Sequence, residues 1–191
     1  MNDGATVWFT GLSGAGKSTV AHALAAQLAG RAERVFLLDG DDLREGLNAD
    51  LGFAAEDRAE NVRRVAEVAL LFSRASHLTL VSVISPYAAG RRHARARHEA
   101  AGIAFVEVHV ATPVEVCEAR DPKGLYRRAR AGEIPRFTGI TDPYEAPEAP
   151  DVALATDGRS PERSAEEVLA HLERAGLVRP GTHAPGAPAP K

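Results

Sequence analysis

Apolar and polar positions along this chain alternate between short apolar runs and longer amphipathic stretches. Residues 6–10, Thr-Val-Trp-Phe-Thr, form a β-prone run that ends in glycines, and the Ala-rich stretch 17–28 behind it reads as a helix. A second apolar run at 35–38 ends at Asp39-Gly40-Asp41-Asp42, the pattern of a buried strand that delivers acidic residues to a loop. Over 60–75, Val62, Val65, Ala66, Ala69, Leu70 and Ser73 share one helical face while Arg63, Arg64 and Glu67 lie elsewhere, which predicts an amphipathic helix. Further buried strands are predicted at 78–84, 105–110 and 152–155, and a final helix over 161–175 between Ser160 as N-cap and Gly176 as stop.

Strands alternating with helices predict an α/β fold, a mainly parallel sheet flanked by helices, with ligands at the carboxyl ends of the strands. The stretch 120–150 is rich in charge, Gly and Pro and too long for an ordinary connector. It predicts a lid or substrate loop; a plain surface insertion is the alternative. One domain is expected over 1–178, followed by a Pro/Gly/Ala-rich tail at 179–191 with too few apolar side chains to order itself.

Composition narrows the function classes. The 191 residues suffice for a core without disulfides or a structural metal. A net charge of -3 supplies no global basic field, so no nucleic-acid partner is expected. Cys117 is the single cysteine, which rules out an intrachain disulfide and a cysteine-rich zinc site and fits a reducing cytoplasm. It reads as a buried small residue, and the seven histidines show no metal-ligand spacing. No stretch approaches the roughly 20 apolar residues of a membrane span, so no membrane association is expected.

The strongest chemical signal is Gly11-Leu12-Ser13-Gly14-Ala15-Gly16-Lys17-Ser18, which satisfies G-x-x-x-x-G-K-[ST] between a predicted strand and helix. Glycines let backbone N–H groups turn inward around phosphates, the helix N-terminus favours anionic charge, and Lys17 can bridge the outer phosphates. ATP is the expected nucleotide, bound by Gly11 to Ser18 together with Thr19, with Ser18 as ligand to Mg²⁺ and Thr19 packing rather than coordinating. A phosphate loop alone does not separate a kinase from a GTPase switch or a mechanical ATPase. The chain has no Asn-Lys-x-Asp guanine-reading motif and little length for motor elements, which leaves a small-molecule kinase as the leading class. The cluster from Asp39 to Arg44 then has a use: carboxylates can organise metal or accept a hydroxyl proton, and Arg44 can fork onto an anionic oxygen.

With these segments in place, the sequence resembles the adenylyl-sulfate kinase family. The resemblance runs from the phosphate loop through Leu38-Asp39-Gly40-Asp41, Leu51-Gly52-Phe53, Asp57-Arg58, Glu60-Asn61-Val62-Arg63-Arg64 and Ile84-Ser85-Pro86-Tyr87. It continues through Glu115 to Tyr126, Phe137-Thr138-Gly139-Ile140 and Asp142-Pro143-Tyr144-Glu145. The resemblance implies a P-loop kinase fold and transfer of the ATP γ-phosphoryl group to the 3′-hydroxyl of adenosine 5′-phosphosulfate. It implies a catalytic set of Asp41, Lys17, Ser85 and Lys123, with Asp41 accepting the hydroxyl proton and Lys123 approaching on lid closure. It implies that Arg44, Arg58, Asn61 and Ile84 hold the acceptor and that Phe53 and Phe137 sandwich its adenine. Ser85 is favoured as a substrate-site hydroxyl over a covalent phosphoserine relay. Family members are often dimers, so a homodimer is expected.

Three positions depart from the family pattern. Asp42 stands where Asn is usual, Ala88 where Arg follows Ser-Pro-Tyr, and Arg136 where Asn precedes Phe137. Two other readings therefore stay open: a related kinase for another nucleotide or anionic metabolite, and a nucleotide-binding regulator without turnover.

Overall fold

The five apolar runs form one sheet in the computed structural model, which describes residues 4–31 and 33–180. In chain order the elements are β1 (Ala5–Thr10), α1 (Lys17–Ala29), β2 (Val35–Asp39), α2 (Gly40–Glu45), α3 (Ala55–Arg74) and β3 (Leu78–Ser82). They continue as α4 (Ala88–Glu99), β4 (Ala104–Val110), α5 (Val114–Arg120), α6 (Leu125–Arg130), β5 (Val152–Leu154) and α7 (Pro161–Arg174). All pairings are parallel in the order β2-β3-β1-β4-β5, with Phe9 opposite Ser82 on one side and Val108 on the other. The expected α/β architecture is present. The expected tail at 179–191 falls, from residue 181 on, outside the described residues.

Both faces of the sheet are covered, as a parallel sheet requires. Along β1 side chains alternate: Val7 and Phe9 pack with Val20, Leu24, Leu28, Val168 and Leu172 of α1 and α7, while Trp8 packs with Val62, Val65 and Ala69 of α3 and Ala94 of α4. The polar residues on the Trp8 face are paired. Thr6 Oγ1 and Ser73 Oγ lie 2.8 Å apart, and Ser73 donates to Thr79 at 3.0 Å. β1 lies in the middle of the sheet; the chain runs from it through α1 to the β2 edge and later crosses from β3 through α4 to β4 on its other side, and a crevice opens at the carboxyl end of β1.

Several boundaries differ from the pattern-based expectation. β2 is an edge strand with only Leu38 buried; Phe36 is half-exposed and stacks on Phe72 with ring centroids 3.8 Å apart. The helix expected from residue 60 begins at Ala55, where Glu56 and Asp57 in the first turn favour the positive end of the helix dipole. The strand expected to reach 84 ends at Ser82. The acidic stretch after β2 is the short helix α2, capped by Asp39, whose side chain accepts from Asp41 N at 2.9 Å. Helix α4 has no apolar stripe; it buries Arg91, Ala94 and His98 instead. The 120–150 stretch contains α6 and a bridge between Thr138 and Asp142. Ser160 and Gly176 stand at the ends of α7 as expected, with Ser160 Oγ accepting from Arg163 N at 3.3 Å and Gly176 at φ 70°.

Candidate active site

The phosphate loop leaves β1 and enters α1 at the sheet crevice. Gly16 stands at the α1 N-terminus with φ 99°, and a Cβ there would lie 3.1 Å from the Thr156 side chain, so a larger residue would be strained and crowded. The loop is braced from behind. Ala15 O accepts from Thr112 Oγ1 at 3.0 Å and Thr156 Oγ1 at 2.8 Å, and Ser13 O accepts from Tyr126 Oη at 2.9 Å. Arg120 donates to Thr156 Oγ1 at 2.7 Å and to Gly14 O at 3.3 Å. Cys117 is fully buried under the loop, and burial pushes its thiol pKa up, which keeps it a packing residue.

Lys17 is buried and its Nζ donates to Leu12 O at 2.8 Å, curling back over the loop. Burial, only partly offset by neighbouring acidic groups, lowers its pKa to about 8. Ser13, Gly14, Gly16, Lys17 and Ser18 all line the cleft, whereas Ala15 is buried beneath it and Leu12 turns toward Gly139. Thr19 also lines the cleft and is exposed, so the expectation that it packs is corrected: the first turn of α1 faces the opening here.

The next layer comes from the ends of β2 and β3. Ser18 Oγ donates to Asp39 Oδ2 at 2.6 Å and lies 2.9 Å from Ser82 Oγ. Two hydroxyls and a carboxylate are a hard oxygen set of the kind Mg²⁺ takes, and Mg²⁺ ordinarily completes its shell with phosphates and water rather than with a full protein cage. Among the described residues no cluster of three or more His, Cys, Asp or Glu is arranged to hold a metal. Asp41, the second residue of α2, forms an ion pair with Lys123 from the segment after α5.

The acceptor half is built on α2 and α3. Arg58 and Asn61, three residues apart, sit on the buried face of α3 and line the cleft. Arg58 Nε donates to Phe53 O at 2.9 Å, Nη2 to Arg136 O at 2.9 Å, and Nη1 to Thr138 Oγ1, and Asp142 Oδ2 is 3.3 Å away. One guanidinium thus ties the segment carrying Phe53 to the segment carrying Phe137. Phe137 is buried, edge-on to Tyr126 at 4.9 Å; Phe53 is 59% exposed, with the Arg44 guanidinium 4.5 Å above its ring. Arg44 also donates to Leu51 O and Gly52 O, each at 3.3 Å. Ile84 and Ser85 close the floor, with Ser85 Oγ accepting from Trp8 Nε1 at 3.0 Å.

Lys17, Ser18, Asp41, Arg44, Phe53, Arg58, Asn61, Ile84, Ser85, Lys123 and Phe137 line one cleft of about 1210 Å³, large enough for two nucleotides. Asp39, part of the acidic cluster read from the sequence, also lines it, as do Ser82, Thr156 and Arg159, which were not singled out. The signal that could have found Ser82 and Thr156 is their place at or just beyond the carboxyl ends of β3 and β5. At the three divergent positions, Asp42 is exposed, Arg136 lines the cleft, and Ala88 N at the start of α4 donates to Glu145 Oε2 at 2.7 Å.

A parallel sheet with a complete phosphate loop, a hydroxyl–carboxylate pair beside it and a second charged half-site defines a P-loop kinase that binds ATP. The family described as adenylylsulphate kinase matches residues 3–155. The chain is 54% identical over 175 residues to the adenylyl-sulfate kinase of Paraburkholderia xenovorans, covering 92% of this chain and 96% of that protein. It is 51% identical over 171 residues to the adenylyl-sulfate kinase of Clostridium acetobutylicum, covering 90% and 84%. Among solved structures, the Mycobacterium tuberculosis APS kinase CysC in complex with AMPPNP and APS superimposes with a TM-score of 0.88 at 54% identity, covering 91% of this chain and 99% of that one. A gluconokinase from Sinorhizobium meliloti, at 19% identity and a TM-score of 0.58, shares the fold alone. The chain belongs to the adenylylsulphate kinase family.

Proposed function

We propose that this kinase transfers the ATP γ-phosphoryl group to the 3′-hydroxyl of adenosine 5′-phosphosulfate, giving 3′-phosphoadenosine 5′-phosphosulfate and ADP. The observation that carries the reading is the single cleft in which the phosphate loop at Lys17 and the acceptor half at Arg58 and Asn61 meet across Asp41. Catalysis of such a transfer is mainly positioning and charge stabilisation, with little covalent work for the protein. Lys17 and the inward N–H groups of the phosphate loop hold the outer phosphates. Asp41 accepts the proton of the attacking hydroxyl, and Lys123, paired with it across the cleft, brings positive charge to the path of the moving phosphoryl group.

On the acceptor side, Arg44, Arg58 and Asn61 present donors to the phosphosulfate oxygens, and Phe53 and Phe137 offer faces for adenine. Ser85 and Ile84 shape the floor beneath the ribose. Ser18 and Asp39 would hold Mg²⁺, which when bound neutralises charge on the phosphates. Arg136 also lines this cleft and adds a cation to it. We assign the protein to the cytoplasm, where ATP is the available donor, and to a homodimer on the strength of the family resemblance. Among the described residues no helix is long and apolar enough to cross a membrane.

The deciding experiment is a coupled assay of ADP release with ATP and Mg²⁺, comparing adenylyl sulfate with AMP and other nucleotides. Release that depends on adenylyl sulfate is expected. ATP-binding protein that releases none with it, or that prefers another acceptor, overturns the reading. Light scattering separates a dimer from any other assembly.

A further inference from the structure

Asn48 lies in the turn between α2 and α3, does not line the cleft, and is completely buried. Its side-chain Nδ2 donates to Asn61 Oδ1 at 3.0 Å. Its own Oδ1 is buried without a hydrogen-bond partner among the described residues. An unpaired buried acceptor opposes folding, and a leucine of nearly the same shape would remove it while leaving Asn61 Oδ1 without its donor. Stability alone therefore gives asparagine little advantage here. The backbone of Asn48 is satisfied independently, its N–H donating to Leu43 O at 2.8 Å and its carbonyl accepting from Leu51 N at 3.1 Å, so the turn does not need this side chain to hold its shape.

What the side chain does is orient its neighbour. A primary amide is polar at both ends, one an acceptor and the other a double donor, and a half-turn about its last torsion exchanges them. With Oδ1 of Asn61 engaged by Asn48 on the inner side, its Nδ2 is the end left for the cleft. Toward an anionic acceptor that orientation attracts, whereas the reversed amide would aim a carbonyl oxygen at negative charge. We propose that Asn48 is a positioning residue for the acceptor substrate: it acts through Asn61, fixing its amide so that a donor faces the anionic nucleotide. This rests on the reading of Asn61 as an acceptor-binding residue.

Steady-state kinetics of Asn48→Leu, Asn48→Asp and Asn61→Ala, with thermal unfolding of each, tests it. Asn48→Leu exchanges the unpaired Asn48 Oδ1 for an Asn61 Oδ1 without its donor and is expected to unfold at nearly the same temperature, yet to raise KM for adenylyl sulfate by about tenfold, the weight of one charge-assisted hydrogen bond. KM for ATP is expected to stay within about twofold, because no phosphate-loop residue touches Asn48. In Asn48→Asp the carboxylate accepts from Asn61 Nδ2 and turns the Asn61 oxygen into the cleft, so KM for adenylyl sulfate rises further than in Asn48→Leu. Should Asn48→Asp not fold, the Asn48→Leu, Asn61→Ala double variant decides: it is expected to match Asn61→Ala alone. Unchanged KM in Asn48→Leu beside a raised KM in Asn61→Ala overturns the positioning role. Unchanged KM in Asn61→Ala overturns the reading of Asn61 beneath it.

Discussion

Lys123 reaches from the segment after α5 to pair with Asp41 on α2, joining two segments 82 residues apart across the mouth of the cleft. Both side chains are more than half exposed. An ion pair in that setting contributes about 0–1 kcal/mol and is weakened by salt, so it has little weight in holding the fold together. Its weight lies in where it puts charge. The ammonium pairs with the carboxylate we assign to take the hydroxyl proton, between the two proposed half-sites.

Lys123→Gln should therefore separate activity from stability. We expect kcat to fall about 10²-fold, the scale of removing one preorganised donor at a developing charge, with the thermal midpoint nearly unchanged. Asp41→Asn should lower kcat by about 10²–10⁴-fold, as loss of a positioned base does, while ATP binding measured by calorimetry persists. Equal losses of stability and activity in either variant would point to a structural pair instead.

Lys17 gives the site a pH signature. Burial lowers its pKa to about 8, and bound phosphates raise it again. Binding ATP above about pH 8 must therefore take up a proton, and affinity should weaken by up to about tenfold per pH unit over the next two units. Folding carries the opposite sign. The folded pKa lies below the unfolded value of 10.5, so between about 8 and 10.5 the unfolded chain binds more protons at this site and Lys17 destabilises the fold less as pH rises. Calorimetry at pH 7 and pH 9, in two buffers of different ionisation enthalpy, should show uptake only at the higher pH. Lys17→Met should abolish it together with most of the affinity.

The parts of this molecule legible in its sequence are those whose cause is local. The order of strands and helices follows from apolar periodicity, and the phosphate loop from residues contiguous in the chain. Helix α4 was not legible because it buries Arg91 and His98 in place of an apolar stripe, and Arg91 is satisfied by Glu107 and by the carbonyls of Ser85 and Glu145, partners that only the fold supplies. β2 read as buried because an edge strand can carry the same apolar residues as an inner one; Phe36 is covered by Phe72 from a neighbouring helix instead of by a second strand. In the site, residue types at strand ends were readable, but not that Asp39 would meet Ser18, 21 residues away, or that Arg58 would hold segments up to 84 residues away.

Arg58 is consequently expected to be a stability residue as well as a binding one. Its guanidinium serves Phe53 O, Arg136 O, Thr138 Oγ1 and Asp142 from a buried position. Lysine cannot reproduce that fork, and methionine leaves the partners unpaired. Arg58→Met should lose about 3 kcal/mol in urea unfolding. It should also raise KM for adenylyl sulfate far more than KM for ATP, since the two Phe-bearing segments lose their common tie. A variant with full stability and unchanged KM would show that these segments hold themselves.

Ser85 supplies the test of a covalent route. Its backbone is in the left-handed region, φ 41°, a costly conformation for a residue other than glycine, and Arg91 Nη1 donates to its carbonyl at 2.7 Å. The hydroxyl oxygen accepts from the Trp8 indole, and among the described residues no carboxylate or imidazole hydrogen-bonds it, so nothing is in place to withdraw its proton. A serine nucleophile needs such a base. Direct in-line transfer between two bound nucleotides needs none. Ser85→Ala should therefore retain most of its kcat while losing about 1–3 kcal/mol of stability, because the buried indole N–H is left without its acceptor. Ser85→Gly should recover part of that loss by relaxing the backbone. If Ser85→Ala instead kept its stability and lost turnover by several orders of magnitude, with radioactive phosphate trapped on wild-type protein but not on the variant, the direct transfer to which Asp41 is assigned would have to give way to a phosphoserine step.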